Sequence, residues 1–339
     1  MSSPGPWKQA AARLRANRLA WISAWLLALV GLLSLCAPLL PIRSPIEARD
    51  VREAQAPVSP LAHFGGPGFT APELLEPSRF DRALLAARAA LFGDWQTGAW
   101  LGTDARGRDL LARLVWGGRT SLSAALIAAL TSLAIGLLYG GLSGYAGGRV
   151  DELMMRAVDA LQSIPFLFFV IFVGTLLSGW RTELADRYGL DREALFFVVI
   201  GAVWWLSLSR IVRGQVRSLR EGELVAALRV LGASHARILL RHLLPAVLPL
   251  AVVYLALTIP SVMLFESFLS FLGLGIEAPR MSWGSLAADG AEALNPVRSA
   301  WWLALFPALA MGLVLLALNL FGDALRDALD PRGGGEERA

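Results

Sequence analysis

The chain has 339 residues, of which 55% are AVILMFWYC and only 17% are charged, against about 25% charged in typical soluble proteins. With 33 glycines, 12 tryptophans and a mean hydropathy of +0.55, it carries more apolar surface than a core of this size can hide, which excludes a soluble protein, a disordered chain and a collagen-like fibre. A net charge of +4 and a pI near 9.8 do not indicate nucleic acid, because the basic residues lie in short stretches between apolar runs rather than along one soluble face.

The chain opens on a basic arm, residues 1–18, with Lys8, Arg13, Arg15 and Arg18 and no acid, expected in the cytoplasm. Six long, predominantly apolar gaps without Asp, Glu, Lys or Arg follow: Leu19 to Ile42, Thr120 to Gly148, Ala160 to Trp180, Ala194 to Ser209, Leu243 to Phe265, and Ser299 to Gly322. A spanning helix needs roughly 17 to 25 apolar residues, since the hydrocarbon is ~30 Å thick and the helix rises ~1.5 Å per residue. The Ala194 gap is the shortest and must borrow flanking residues. The expectation is an all-α, polytopic membrane protein: a first transmembrane helix over 19–42, an external segment over 43–119, a core of five further transmembrane helices over 120–322 with a cytoplasmic loop at 213–243, and a tail at 323–339. The first apolar run exceeds the 7 to 15 residues of a signal core and no Ala-x-Ala site closes it, so it reads as an uncleaved helix.

Within 43–119, a Pro- and Gly-rich stretch precedes Ser78-Arg-Phe-Asp81, which has capping-box spacing; Leu84, Leu85, Leu91 and Phe92 are expected to share a face, and Gly93 to stop the helix. This is a surface helix at the membrane interface or a contact for an external partner. The loop after the fourth gap holds Arg210, Arg213, Arg217, Arg220, Arg229, Arg237 and Arg241 against Glu221 and Glu223, and belongs inside with the N-terminus. The loops Arg181 to Glu193, with three bases and four acids, and Glu266 to Arg298, with two and four, belong outside. Six crossings also bring the net acidic tail inside.

Chemistry of its own is not expected. The only lysine, Lys8, follows Trp7, so no Walker loop is present; His63, His235 and His242 are too dispersed for a metal site; Cys36 is alone; and a Gly-x-Ser-x-Gly elbow is missing. No catalytic, metal or cofactor-binding residue is assigned. The spans lack the buried ionisable groups that ion-driven carriers use, with Glu266 the nearest exception: it is either paired or snorkelling at an outer boundary or lining a translocation path or gate.

The 213–243 loop reads as two helices joined at a break. Leu224, Val225, Leu228 and Leu231 share a helical face, Gly232 ends the first helix, Ser234 caps the second, and the second runs with Arg237, Ile238, Leu239 and His242 to Pro245. Taken alone, this is also compatible with an interfacial helix pair on anionic lipid.

Arg220-Glu-Gly-Glu-Leu-Val-Ala-Ala-Leu-Arg-Val-Leu-Gly-Ala-Ser234 followed by Arg237-Ile-Leu-Leu-Arg-His-Leu-Leu-Pro245 resembles the cytoplasmic coupling loop of ABC importer permeases. In the family's signature, Glu-Ala-Ala and a glycine four positions on, Ala226, Ala227 and Leu228 stand in place of Glu-Ala-Ala and Gly232 is the glycine, so the glutamate and the second alanine are missing. Leu101-Gly-Thr-Asp-Ala-Arg-Gly-Arg-Asp109, Ser270-Phe-Leu-Gly-Leu-Gly-Ile276 with Ser282-Trp-Gly284, and Gly322-Asp-Ala-Leu-Arg-Asp-Ala-Leu-Asp-Pro331 are similar to stretches of the dipeptide, oligopeptide and nickel permeases, in particular the subunit with a long first periplasmic loop.

The resemblance implies a type I ABC importer permease of the bacterial inner membrane, with both termini cytoplasmic, that forms half of a peptide pore. It implies a second homologous permease, two ATPases that bind ATP and Mg in place of this chain, an external solute-binding protein, and no nucleic acid. ATPase coupling would fall to Glu223, Ala226, Ala227, Leu228, Arg229, Gly232, Ala233, Ser234 and Arg237. A nickel chelate or modified peptide stays open as substrate, a self-powered secondary transporter or channel as the alternative mode, and a scaffold without transport as a third class.

Overall fold

Apolar runs in hydrocarbon must satisfy their backbone groups internally, and the described runs do so as helices. The computed structural model describes residues 6–47, 75, 77–165, 167–169, 171, 172, 175, 183, 187, 192–276, 278–294 and 300–329. In chain order the helices are α1 (Pro6–Ala16), α2 (Arg18–Leu35), α3 (Arg79–Phe92), α4 (Leu110–Ala146), α5 (Gly148–Ser163), α6 (Arg192–Arg220), α7 (Glu223–Val230), α8 (His235–Phe271), α9 (Trp283–Glu292) and α10 (Trp301–Leu329). Among the described residues, five helices are long and apolar enough to cross a membrane: α2, α4, α6 over Phe196–Arg220, α8 and α10. Parts of the expected third span, Ala160 to Trp180, and most of the loop after it lie outside the described residues, as do His63 and the end of the tail.

Span limits differ from the charge map where local chemistry overrules it. Helix α2 ends at Leu35, before the first expected span ends, because Pro38 and Pro41 cannot continue it. Helix α4 starts at Leu110, well before the apolar run, because the Asp109 carboxylate caps it by accepting from the Leu111 and Ala112 N–H groups at 2.8 and 3.4 Å.

The chain divides into two units. One comprises Met1–Trp21, Ala124–Val262 and Leu318–Ala339. In it, the backbones of α4 and α6 touch: a Cβ at Gly140 would strike the Ser209 carbonyl, one at Gly144 the Arg213 carbonyl, and one at Gly201 the Ala128 carbonyl. Contact positions rise together along both helices, so α4 and α6 run parallel. Gly147 and Gly148, at φ 67° and 56°, then reverse the chain, and α5 returns antiparallel to α6, with Val158 against Trp205 and Leu206. Two parallel helices joined through one antiparallel return accord with a crossing between them. The core of the unit joins Leu208, Val212 and Val216 of α6, Val225 of α7, and Ile238, Leu239, Leu243 and Val247 of α8.

The other unit comprises Ile22–Ser123 and Met263–Ala317. Its core includes Leu110, Ala300, Trp302 and Leu303. The capping box at Ser78 and Asp81 is present, and Gly93 stops α3 at φ 55°. Of the apolar face expected of α3, Leu84, Leu85 and Phe92 are half-buried and only Leu91 is exposed, while the two fully buried residues, Asp81 and Arg88, fall on that same face. Asp81 meets Arg119 at 2.7 Å, and Arg88 donates to the carbonyls of Leu40 and Trp95 at 3.3 and 3.1 Å, so charge satisfied by partners turns inward. Burial works to raise the Asp81 carboxyl, but hydrogen bonds from Arg119 and Ser78 prevail and hold it below its ordinary value.

Candidate functional site

The arginines that mark α6 as cytoplasmic in the charge map, Arg210, Arg213, Arg217 and Arg220, recur at helical spacing and therefore form one face. Arg210 Nη2 meets Asp159 Oδ1 at 2.5 Å, and Arg213 grips Asp151 with Nε and Nη2 at 2.5 and 2.6 Å. The Ser143 hydroxyl donates to the same Asp151 carboxylate at 2.5 Å. The Arg213 hydrogen bonds outweigh burial and hold the Asp151 carboxyl below its ordinary range. The Arg220 guanidinium lies where a side chain at Gly147 would stand. Sequence reading took these arginines as an orientation signal and missed the paired acids, although the three- and four-residue spacing, read against Asp151 and Asp159 eight apart on α5, was available.

Helix α6 ends at Arg220, and Gly222 serves as the N-cap of α7. Glu223 lies in the first turn of α7, where a carboxylate suits the helix dipole. The chain then breaks as expected: Gly232 adopts φ 74°, its N–H donates to Arg229 O at 3.0 Å, and Ala233 N donates to Leu228 O at 3.0 Å. Nothing lies within 4 Å of an added Cβ at Gly232, so glycine is needed there for its backbone sign and not for space. The Ser234 hydroxyl accepts from Arg237 N at 3.4 Å, and Tyr145 Oη meets His235 Nδ1 at 2.7 Å.

Two expectations for this segment are corrected. The single apolar face does not exist: Val225 is buried and Leu228 packs partly against the core of the unit, whereas Leu224, Val230 and Leu231 are 60%, 88% and 81% exposed. A short helix lying on a core can bury only one side, and Val225 and Leu228, three apart, occupy it. Glu223, Ala226, Ala227, Arg229, Ser234 and Arg237 are exposed and Ala233 is half-buried, so the outward surface is a small apolar patch fringed by charge. The second helix does not stop at Pro245 either. It continues through a π-helical stretch, Ile238–Leu243, directly into Leu244–Phe271, because the wider register accommodates the missing proline N–H.

Glu266 lies apart from this segment, in the other unit, and is fully buried. Ser270 Oγ donates to its Oε1 at 2.8 Å, and Ser121 and Ser267 hydroxyls approach Oε2 at 3.4 Å. Ser121 Oγ accepts in turn from Trp283 N at 3.1 Å, and Trp283 Nε1 donates to Leu114 O at 2.8 Å. Gly284 packs against the Ser267 backbone, where a Cβ would collide. The carboxylate therefore anchors the elbow from the end of α8 to α9 onto α4, and its burial rules out a snorkelling side chain. In the same unit Asp104 accepts from Arg113 Nη1 at 2.6 Å, Arg108 Nε at 2.7 Å and the Arg106 and Arg108 N–H groups at 2.8 and 2.9 Å, closing the Leu101–Asp109 stretch into a loop. Among the described residues no His, Cys, Asp and Glu cluster is arranged to hold a metal ion.

Residues 132–333 match the family described as binding-protein-dependent transport system inner membrane component, and residues 5–57 match the N-terminal TM domain of oligopeptide transport permease C. The chain belongs to the family of binding-protein-dependent inner membrane components. It is 47% identical to the oligopeptide transport system permease protein OppC of Haemophilus influenzae, over 69% of this chain and 70% of the relative. Identity to the dipeptide transport system permease protein DppC of Bacillus subtilis is 41% over 69% of this chain and 68% of the relative, and to the Bacillus subtilis OppC 33% over 96% and 90%. In this permease the family match contains the whole α6–α7–α8 segment and the Asp151 clasp.

Proposed function

We propose that the permease forms half of the path of an ATP-driven peptide importer, paired with a second homologous permease, two cytoplasmic ATPases that bind ATP and Mg, and an external solute-binding protein. The names of the relatives support peptide as substrate over a nickel chelate, and a permease powered from outside over a self-powered carrier. On this reading both termini and α7 are cytoplasmic, and the division into arm, first span, periplasmic segment, core and tail follows that orientation. Glu266 is proposed as an anchor of the external elbow and not as a wall of the path, because it is enclosed on all sides.

The observation that carries the coupling reading is the surface of α7, where Leu224, Val230 and Leu231 stay exposed while the helix is locked to its unit through Val225. An apolar patch held rigidly at a membrane protein's polar end suits a protein cleft. ATP-dependent movement of that cleft drives alternating access only insofar as the ATPase contacts differ between states. Docking rests on shape more than on ion pairing, since Ala226 stands where the family signature has glutamate. Gly232→Val forces a β-branched residue into a left-handed conformation at about 1–2 kcal/mol. The variant should insert normally, lose most ATPase docking and peptide transport, and do so with weak salt dependence. Normal peptide-stimulated ATP hydrolysis and import by that variant complex would remove α7 as the coupling site.

A further inference from the structure

The first turn of α5 is tied to its neighbours by one carboxylate, Asp151, and the next turn by the Tyr139 hydroxyl of α4, which donates to Met154 O at 2.9 Å. Its covalent link to α4 is the pair Gly147–Gly148, both left-handed; Gly147 lies against the Arg220 guanidinium of α6, whereas a Cβ at Gly148 would meet open space, so the link itself adds little stiffness. The apolar contact of α5, through Val158, Met155 and Leu161 against Trp205 and Leu206 of α6 and Tyr139 of α4, begins one turn after Asp151. Asp151 closes the gap. It is 5% exposed, takes the forked guanidinium of Arg213 on α6 and the hydroxyl of Ser143 on α4, and so joins three helices at one point. The α4–α6 pair is itself without slack, because Gly140 and Gly144 put the backbones in contact. Helix α6 leads through Glu221 and Gly222 into α7.

We propose that Asp151 is the positioning residue that makes α5 travel with α6 and α7, so that a displacement imposed on α7 is delivered through Arg213 to Asp151, and by α5 to the chain beyond Ile164 and Pro165. The inference rests on the docking reading of α7. Arg210 and Asp159 form a second, exposed tie on the same two helices, which steadies the pair but is screened by solvent. Loss of the Asp151 charge leaves the helices in place and loosens the start of α5 against α6. ATP hydrolysis then continues with less of it converted to transport.

The test uses the whole complex in vesicles, with its ATPases, binding protein and a peptide the wild type imports. In Asp151→Asn, peptide imported per ATP hydrolysed should fall about tenfold while peptide-independent hydrolysis stays within twofold of wild type. Asp151→Glu, which keeps the charge, should recover at least half of the ratio; no recovery would assign the loss to packing and overturn the proposal. Spin labels at the exposed positions Glu152 and Ser218 should report one distance, the same with and without ATP in the wild type and broadened in Asp151→Asn. A wild-type distance that shifts between nucleotide states, or an unchanged ratio in Asp151→Asn, overturns the proposal. If the Asn variant does not assemble, Ser143→Ala removes one oxygen only and should lower the ratio about threefold, with an unchanged ratio again overturning it. Normal import by Gly232→Val would sink the docking reading itself, whereas a defective Gly232→Val beside a fully coupled Asp151→Asn sinks this inference alone.

Discussion

Asp151 in one unit and Glu266 in the other are both sealed from solvent, yet Asp151 faces an arginine fork while Glu266 is held by serine hydroxyls. A forked ion pair is strong, directional and dependent on charge, and it spans three helices. Hydroxyls from the same helix and from α4 make a softer cage that asks only for an acceptor oxygen. The difference separates a joint that carries force from an anchor that keeps an elbow shut. The joint lies in the unit that contains α7, and the anchor in the unit that contains the external loops of the proposed orientation.

Truncation breaks the comparison most severely. Asp151→Ala strands the Arg213 guanidinium and should cost about 2–4 kcal/mol, against about 1–3 kcal/mol for Glu266→Ala, which leaves hydroxyls and a small cavity. Thermal unfolding of the detergent-solubilised permease measures both, and a larger loss at Glu266 would reverse the assignment. Isosteres sharpen it. Asp151→Asn should cost about 1–2 kcal/mol, whereas Glu266→Gln still offers an oxygen and should stay within about 1 kcal/mol, with transport within twofold of wild type. A Glu266→Gln permease at normal abundance with transport lost would restore a gate at that position.

The smallest effect is in pH. Because Arg213 holds the Asp151 carboxyl below its unfolded value, the stabilisation it provides is complete above the ordinary carboxylate range and is lost as pH falls through the depressed folded value. Melting temperature followed from about pH 6 down to about pH 3 should therefore drop less steeply in Asp151→Asn than in the wild type. Parallel curves would mean that the pair contributes no linkage. Asp81, held down by Arg119 and Ser78, should give the same sign when replaced by Asn.

Much of this was legible because it is local. The Ser78 capping box, the stop at Gly93, the break at Gly232 and the cap at Ser234 depend on residues within a turn of one another, and all are in place. That the described apolar runs form long helices follows from charge-free length, while their limits follow from local chemistry such as the prolines after α2 and the Asp109 cap of α4. What was misread depends on neighbours distant in sequence. Leu228 and Leu231 have the same chemistry and nearly the same helical phase, yet one rests on the Val225 side and the other is exposed. Asp81 and Arg88 share the face of Leu84, Leu85 and Phe92 on α3 and are buried more deeply than those apolar residues, because Arg119 and the Leu40 and Trp95 carbonyls are there to receive them.

The amino-acid sequence by itself determined that the chain is a helical membrane permease with a loop broken at Gly232. Hydrocarbon forces apolar runs into helices, and a glycine at a left-handed position ends a helix whatever surrounds it. Only the tertiary structure decided which side of α7 stays exposed, that Arg210 and Arg213 of α6 pair with acids of α5, and that Glu266 is an anchor enclosed by serines. Those outcomes depend on which groups approach within hydrogen-bonding or van der Waals distance once the helices pack, and the linear order of residues does not contain that distance.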